Sequence, residues 1–164
     1  MRVLGIDPGL GITGYGVLDF EGEQVRVAEA GVIRTNEKAP LSERLVDLAR
    51  EMESVITQFV PDVVAVEELY SHYGHPKTAI IMGHARGVIF MTAARSGVSV
   101  VPYAATRVKK ALTGNGRATK SQMQMMICSA LSLTTVPEPP DIADALAVAL
   151  CHCRALQHSE VVGL

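Results

Sequence analysis

Four carboxylates stand where an apolar chain has no ordinary use for charge. Leu4-Gly5-Ile6-Asp7 and Val64-Ala65-Val66-Glu67 are apolar runs of strand character, and each ends in an acid. A buried charge is costly unless it is paired or binds a metal, so an acid at the end of a core strand calls for a reason. Either one alone has an ordinary reading as a strand-end cap or an exposed turn residue, and Asp7 stands just before Pro8-Gly9. The pair says more. If the two strands are neighbours in a sheet, roughly 4.8 Å apart, both side chains reach one small cation at its carboxyl end.

Asp141-Ile142-Ala143-Asp144 opens a stretch that is otherwise apolar. The i, i+3 spacing places both acids on one face of a helix. Acids in a first turn also cap free N–H groups and suit the helix dipole, and Pro139-Pro140 marks a helix start, so capping explains this pair equally well in isolation. Four carboxylates, each on an apolar segment, shift the balance. Such a cluster repels itself without cations, and hard oxygen donors select magnesium or manganese. Two such ions about 3.5 to 4 Å apart form the clamp that hydrolyses phosphodiesters, one activating water and the other stabilising the leaving oxygen.

A phosphodiester substrate needs cationic contacts, and the formal net charge of -2 does not advertise them. The distribution does. Residues 1–68 carry 6 basic and 13 acidic side chains, a balance of -7, and residues 138–164 carry 1 and 4, a balance of -3. Between Glu68 and Glu138 there is no acid, while Lys77, Arg86, Arg95, Arg107, Lys109, Lys110, Arg117 and Lys120 give +8. Gathered on one face, part of this segment would offer a polyanion a local field that the net charge conceals. Scattered, it would be a set of solvated helix faces.

The elements that must position these groups read as follows. Val3 to Asp7, Thr13 to Phe20 and Gln24 to Arg34 are three strands with short connections, an antiparallel meander. From Pro40 the period changes, with Leu41, Leu45, Leu48, Met52, Val55 and Phe59 marking an amphipathic helix that Pro61-Asp62 stops. Val63 to Val66 is wholly apolar, as in a strand covered on both faces. A helix from about Lys77 to Arg95, a strand at Val98 to Pro102, helices at Ala104 to Leu112 and Lys120 to Leu133, and a buried helix from Asp141 to Ala155 complete the chain. The expectation is an α/β fold in one domain over residues 1–164, a mixed five-stranded sheet with helices on both faces. Breaks are expected at Ser71 to Pro76 and Thr113 to Arg117.

No apolar run approaches the roughly 20 residues that a bilayer demands, and the N-terminus opens directly into a strand, so a cytoplasmic location is the expectation. Cys128, Cys151 and Cys153 are an odd set and read as reduced thiols. Cys151-His152-Cys153 invites a zinc site, but in a helix positions i and i+2 project about 200° apart, which opposes it.

Gly5-Ile6-Asp7-Pro8-Gly9 with Thr13-Gly14-Tyr15-Gly16, Ala65-Val66-Glu67-Glu68, Gly83-His84-Ala85-Arg86-Gly87, Val108-Lys109, Lys120-Ser121-Gln122 and Asp141-Ile142-Ala143-Asp144-Ala145-Leu146-Ala147 occur in that order. In these motifs the chain resembles the RuvC family of Holliday-junction resolvases over almost its whole length. The resemblance implies an RNase H-like fold, a homodimer with two active sites, and paired nicks across a four-way DNA junction during recombination and repair. It implies two Mg2+ per site, with Mn2+ as a substitute, and a branch-migration complex of the RuvA and RuvB type as partner. Asp7, Glu67, Asp141 and Asp144 match the metal-binding carboxylates. Lys109 and Lys120 match basic residues at the site, Lys120 as a catalytic one, and Tyr70 matches an aromatic that meets bases near the crossover. Lys77, Arg107, Lys110 and Arg117 join Tyr70, Lys109 and Lys120 as expected DNA contacts.

Tyr70 ahead of a loop has packing as its other reading. Thr78 to Ala94 resembles the family's dimer helix, with Gly83 and Gly87 four apart, although a buried core helix has the same pattern. An actin-like or sugar-kinase-like ATPase shares the glycine-bearing acidic opening, but 164 residues without an internal repeat hold one domain, not two. A non-catalytic junction-binding module and a nuclease acting on RNA-containing substrates are the remaining alternatives.

Overall fold

Val3, Leu4 and Ile6 are wholly excluded from solvent, which puts their strand at the centre of a sheet rather than at its edge. The structure, a computed structural model, describes residues 1–68 and 76–162. In it β1 (Arg2–Asp7) is the middle of a five-stranded sheet ordered β3-β2-β1-β4-β5. Short turns make β2 (Ile12–Glu21) and β3 (Gln24–Arg34) antiparallel neighbours in series. On the other side β4 (Val63–Glu67) and β5 (Ser99–Tyr103) run parallel to β1. Parallel strands need crossovers. Those are α1 (Leu41–Phe59) and α2 (Pro76–Arg95).

The period of two then sorts the core into two layers. Leu4, Ile6, Val64 and Val66 pack with Leu48, Met52 and Ile89 on the face covered by α1 and α2. Val3, Val63 and Ala65 meet the opposite layer of α3 (Ala105–Thr113), α4 (Lys120–Ala130) and α5 (Pro140–Val162). The expected mixed sheet with helices on both faces is therefore present. Asp7 and Glu67 continue the odd-numbered positions, so the alternation turns both toward α5.

Two helix ends differ from expectation. α4 stops at Ala130, because Ser132 takes a φ of 53° and the Leu133 N–H returns to the Cys128 carbonyl at 2.9 Å. Leu133 still packs on the core, so its apolar character extended the helical period past the helix itself. α5 runs on to Val162, since no glycine or proline interrupts the chain before Gly163. Among the described residues no helix is long and apolar enough to cross a membrane.

α5 lies unusually close to the sheet, and glycine makes that possible. A Cβ at Gly5 would be driven into the Ala145 carbonyl oxygen and stand 2.7 Å from the Ala149 Cβ. On β2, a Cβ at Gly14 would overlap the Asp141 carbonyl, and one at Gly16 would come within 2.6 Å of the Leu146 side chain. Gly5 pairs with Gly16 and Asp7 with Gly14, so these positions form one trough under the first turns of α5. Gly14→Ala should therefore destabilise the fold by about 1 to 3 kcal/mol, because backbone rather than a flexible side chain must move. Urea midpoints of the two proteins check this, and equal midpoints would mean that α5 is not held at contact distance.

Candidate active site

Register brings the strand acids together. β1 and β4 pair in parallel through Ile6 beside Val66, so the residues that follow, Asp7 and Glu67, leave the sheet at the same level. α5 delivers Asp144 from above, and all three line one pocket of about 260 Å³. Lys109 from α3 and Lys120 from α4 line it as well, together with the apolar Val108, Met123 and Ala147.

Local structure accounts for each placement. Lys120 is the first residue of α4 because Thr119 caps that helix: its hydroxyl accepts from the Gln122 N–H at 3.2 Å, and Gln122 answers by accepting from the Thr119 N–H at 2.9 Å. Lys109 follows Val108, which is buried, and so sits at the inner edge of α3, half-buried. Asp144 is turned into the pocket, where its carboxylate forms a long ion pair with the Lys120 ammonium at 4.0 Å. Asp141 is half-buried one turn earlier, its backbone against Gly14, and it does not line the pocket. Its charge nevertheless acts on Asp7 and Asp144.

The electrostatics are those of crowded acids losing water. Burial is the main cause that pushes the Asp7 carboxyl up from 3.8 to about 8, and the charges of Glu67, Asp144 and Asp141 add to it while Lys120 opposes. Burial likewise lifts Glu67 from 4.5 to about 7, with Asp144 raising it further and Lys109 opposing. Asp144 is raised by burial against the pull of Lys120. A neutral carboxyl here is the chain's way of avoiding repulsion.

Hard oxygen donors in mutual repulsion suit a hard divalent cation. Among the described residues no three His, Cys, Asp or Glu side chains stand close enough together to hold an ion as they are placed, so ligation would require the carboxylates to turn inward. Cys151-His152-Cys153 lies within α5. Both thiols are buried, and the His152 Nδ1 is engaged with the Tyr103 hydroxyl at 2.7 Å.

The other expected DNA contacts lie outside the pocket. Lys110, Arg117 and Lys77 are exposed, and so is Arg107, whose guanidinium carbon stands 4.9 Å from the Tyr103 ring centre. Tyr70 lies outside the described residues, as does most of the break expected from Ser71 to Pro76.

The sequence profile of the family described as crossover junction endodeoxyribonuclease RuvC matches residues 3–152. The chain belongs to the RuvC family. The RuvC of Rhodopirellula baltica is 51% identical over 149 residues, which span 91% of this chain and 84% of that one. Thermus thermophilus RuvC, solved in complex with a Holliday junction substrate, superposes with a TM-score of 0.90 at 34% identity, covering 97% of this chain and 96% of that one. A yeast mitochondrial Holliday junction resolvase, 15% identical over 98% of this chain and 83% of that one, shares the fold with a TM-score of 0.66. The RNase H-like expectation holds, and the stretch matched to RuvC contains all four carboxylates.

Sequence reasoning missed the groups that hold the loop after Asp7. Thr13, wholly buried at the start of β2, donates its hydroxyl to the Gly9 carbonyl and accepts the Gly9 N–H at 3.3 Å. Thr35 donates to the Leu10 carbonyl and is itself held by the Arg44 Nε–H at 3.1 Å. A threonine near a strand end is common, and nothing in its spacing marks these two.

Because folding raises the Asp7 pKa above its ordinary 3.8, the folded chain binds more protons than the unfolded one, and the associated stability is lost as pH rises toward about 8. Asp7→Asn cannot ionise. In EDTA its melting temperature should exceed that of the wild type by a margin that grows between pH 5 and pH 8, at roughly 2 to 4 °C per kcal/mol of relieved repulsion. Parallel melting curves across that range would mean that Asp7 is neither buried nor crowded as described.

Proposed function

We propose that this protein resolves four-way DNA junctions by divalent-metal-dependent nicking, with Asp7, Glu67, Asp141 and Asp144 as the metal-binding set. The observation that carries this is the convergence of three acids and two lysines on one pocket in a member of the RuvC family. Bound to these carboxylates, two Mg2+ ions, or Mn2+ in their place, would activate water and stabilise the leaving oxygen. The chain's own contribution is positional. Lys109 and Lys120 face the carboxylates across the pocket, where they can engage the scissile phosphate and offset charge that develops on it. Val108, Met123 and Ala147 give the lining its apolar part, beside which charge interactions are stronger than in open water. The exposed Arg107, Lys110, Arg117 and Lys77 would grip the DNA backbone, which positions a duplex without reading its sequence. In this role a branch-migration complex of the RuvA and RuvB type would be the partner at the junction.

Incubation with a synthetic four-way junction, a plain duplex and an RNA–DNA hybrid, with and without magnesium, tests this directly. Cleavage of the junction alone, and only with metal, is expected. Changing Asp7, Glu67, Asp141 or Asp144 singly to the amide should abolish cutting while junction binding in calcium persists. A variant that still cuts at the wild-type rate removes its residue from the set, and cutting in EDTA would defeat the metal requirement.

Two symmetric cuts need two sites, and α2 supplies a face for a second copy. Ile80 and Met91 are 60% and 49% exposed, and a Cβ at Gly83 or Gly87 would meet nothing within 4 Å. These residues follow one another at helical spacing, an apolar stripe that the other described residues leave open and a two-fold copy could cover. Ile80→Asp should then convert the protein to monomers in sedimentation. On a plasmid with an extruded cruciform it should change the product from linear DNA to nicked circles, since the first nick releases the supercoiling that maintains the junction. An unchanged sedimentation coefficient would place the dimer contact elsewhere.

A further inference from the structure

α3 carries Lys109 into the pocket, yet little of its own sequence keeps it there. It has nine residues, fewer than a helix needs to persist alone in water. Its N-cap residue, Ala104, makes no side-chain cap hydrogen bond, and Val108 and Leu112 are its buried residues. Both ends are tied instead to α5. At the C-terminal end the Arg154 guanidinium donates to the carbonyls of Ala111 at 2.6 Å and Leu112 at 3.1 Å. These are among the acceptors that a helix end leaves unpaired, and a cation there also suits the helix dipole. Ahead of the N-terminal end stands Tyr103, 3% exposed, whose hydroxyl shares a 2.7 Å hydrogen bond with the Nδ1 of His152, itself 7% exposed. Both partners of that bond are buried, so neither can be lost without stranding the other.

The two ties span the pocket from behind. α3 contributes Ala105, Val108 and Lys109 to its lining, and α5 contributes Asp144 and Ala147. His152 and Arg154 lie roughly two and three turns beyond Asp144 on the same helix. Neither lines the pocket. We propose that Arg154, supported by the Tyr103–His152 pair, is a positioning residue for junction cleavage: it sets the separation of α3 from α5 and so holds Lys109 opposite Glu67 and Asp144. The proposal rests on the resolvase function above. Affinity draws on several exposed cations, whereas turnover depends on where one ammonium stands, so the two measurements separate a positioning role from a merely structural one.

Arg154→Met is expected to lower the single-turnover rate on a four-way junction by about tenfold, within the roughly hundredfold that an ångström of misplacement can cost. Junction affinity in calcium should stay close to that of the wild type. Arg154→Lys keeps a cation at the helix end and should recover most of the rate. In a Lys109→Met background, followed with enzyme in excess, Arg154→Met should add little, because the group that it positions is gone. A wild-type rate for Arg154→Met overturns the proposal, as does an equal further loss in the Lys109→Met background or a fall in affinity that matches the fall in rate. If Arg154→Met does not fold, Tyr103→Phe, which removes one buried oxygen, carries the same expectations. A wild-type protein that leaves the junction uncut strikes the resolvase reading itself, an outcome distinct from an Arg154 variant that cuts normally.

Discussion

The contact of α5 with the glycine trough at Gly5, Gly14 and Gly16 is the constraint on which the rest of the molecule depends. Glycine weakens a strand, because it gives up more backbone freedom on folding and offers no side chain to pack. Here that weakness is exchanged for proximity. With any Cβ at these positions the first turns of α5 would stand off the sheet, and Asp144 would lose its place above Asp7 and Glu67. The same helix then serves as the post to which α3 is fixed through His152 and Arg154. Acids and lysines are therefore located relative to one buried, nearly all-apolar rod, whose residues from Ala145 to Cys153 are all buried.

A pocket built this way opposes the stability of the chain that builds it. Asp7 and Glu67 are pushed up to about 8 and 7, first by loss of water and then by neighbouring acids, Glu67 acting on Asp7 and Asp144 on both, so ionising them lowers stability at neutral pH. The surroundings offset this with ties that bear no charge of their own. Thr13 and Thr35 fasten the turn after Asp7 to β2 and to the end of β3, and the capping box of Thr119 and Gln122 fixes the start of α4. On the opposite face, Leu4, Ile6, Val64 and Val66 pack against Leu48, Met52 and Ile89 of α1 and α2.

Much of this was legible in the residues. Periodicity located β3 and α1, continuous apolar runs located β1, β4 and α5, and the strand acids stood out because Val3 to Ile6 and Val63 to Val66 are otherwise apolar. Asp141 and Asp144 were less legible, because a first-turn acid has a capping use that spacing alone does not distinguish from ligation. Structure separates them: Asp144 turns into the pocket and Asp141 stands behind it. Lys109 and Lys120 came from family resemblance, since the charge pattern offered eight cations without ranking them. Arg154 left no trace, because its partners are backbone carbonyls of Ala111 and Leu112, which any sequence would present. The end of α4 was misplaced for a related reason: Leu133 is core in a turn, and burial repeats the helical period without the helix.

Charge is divided along the chain as it is divided across the pocket. Acids come from β1, β4 and α5, in the two segments with balances of -7 and -3, and the facing lysines come from α3 and α4, inside the stretch that has no acid. An acid three or four residues from Lys109 on α3, or from Lys120 on α4, would compete for that ammonium by pairing with it on the helix surface. Their absence leaves both ammonium groups to the carboxylates they face, Lys120 at 4.0 Å from Asp144 and Lys109 lowering the pKa of Glu67. A DNA phosphate entering this space meets cations on one wall and anions on the other, and the anionic wall repels it. On the proposed reading, a divalent cation between phosphate and carboxylates would turn that repulsion into attraction on both sides, so the layout of charge supports the same metal as the proposed chemistry of hydrolysis.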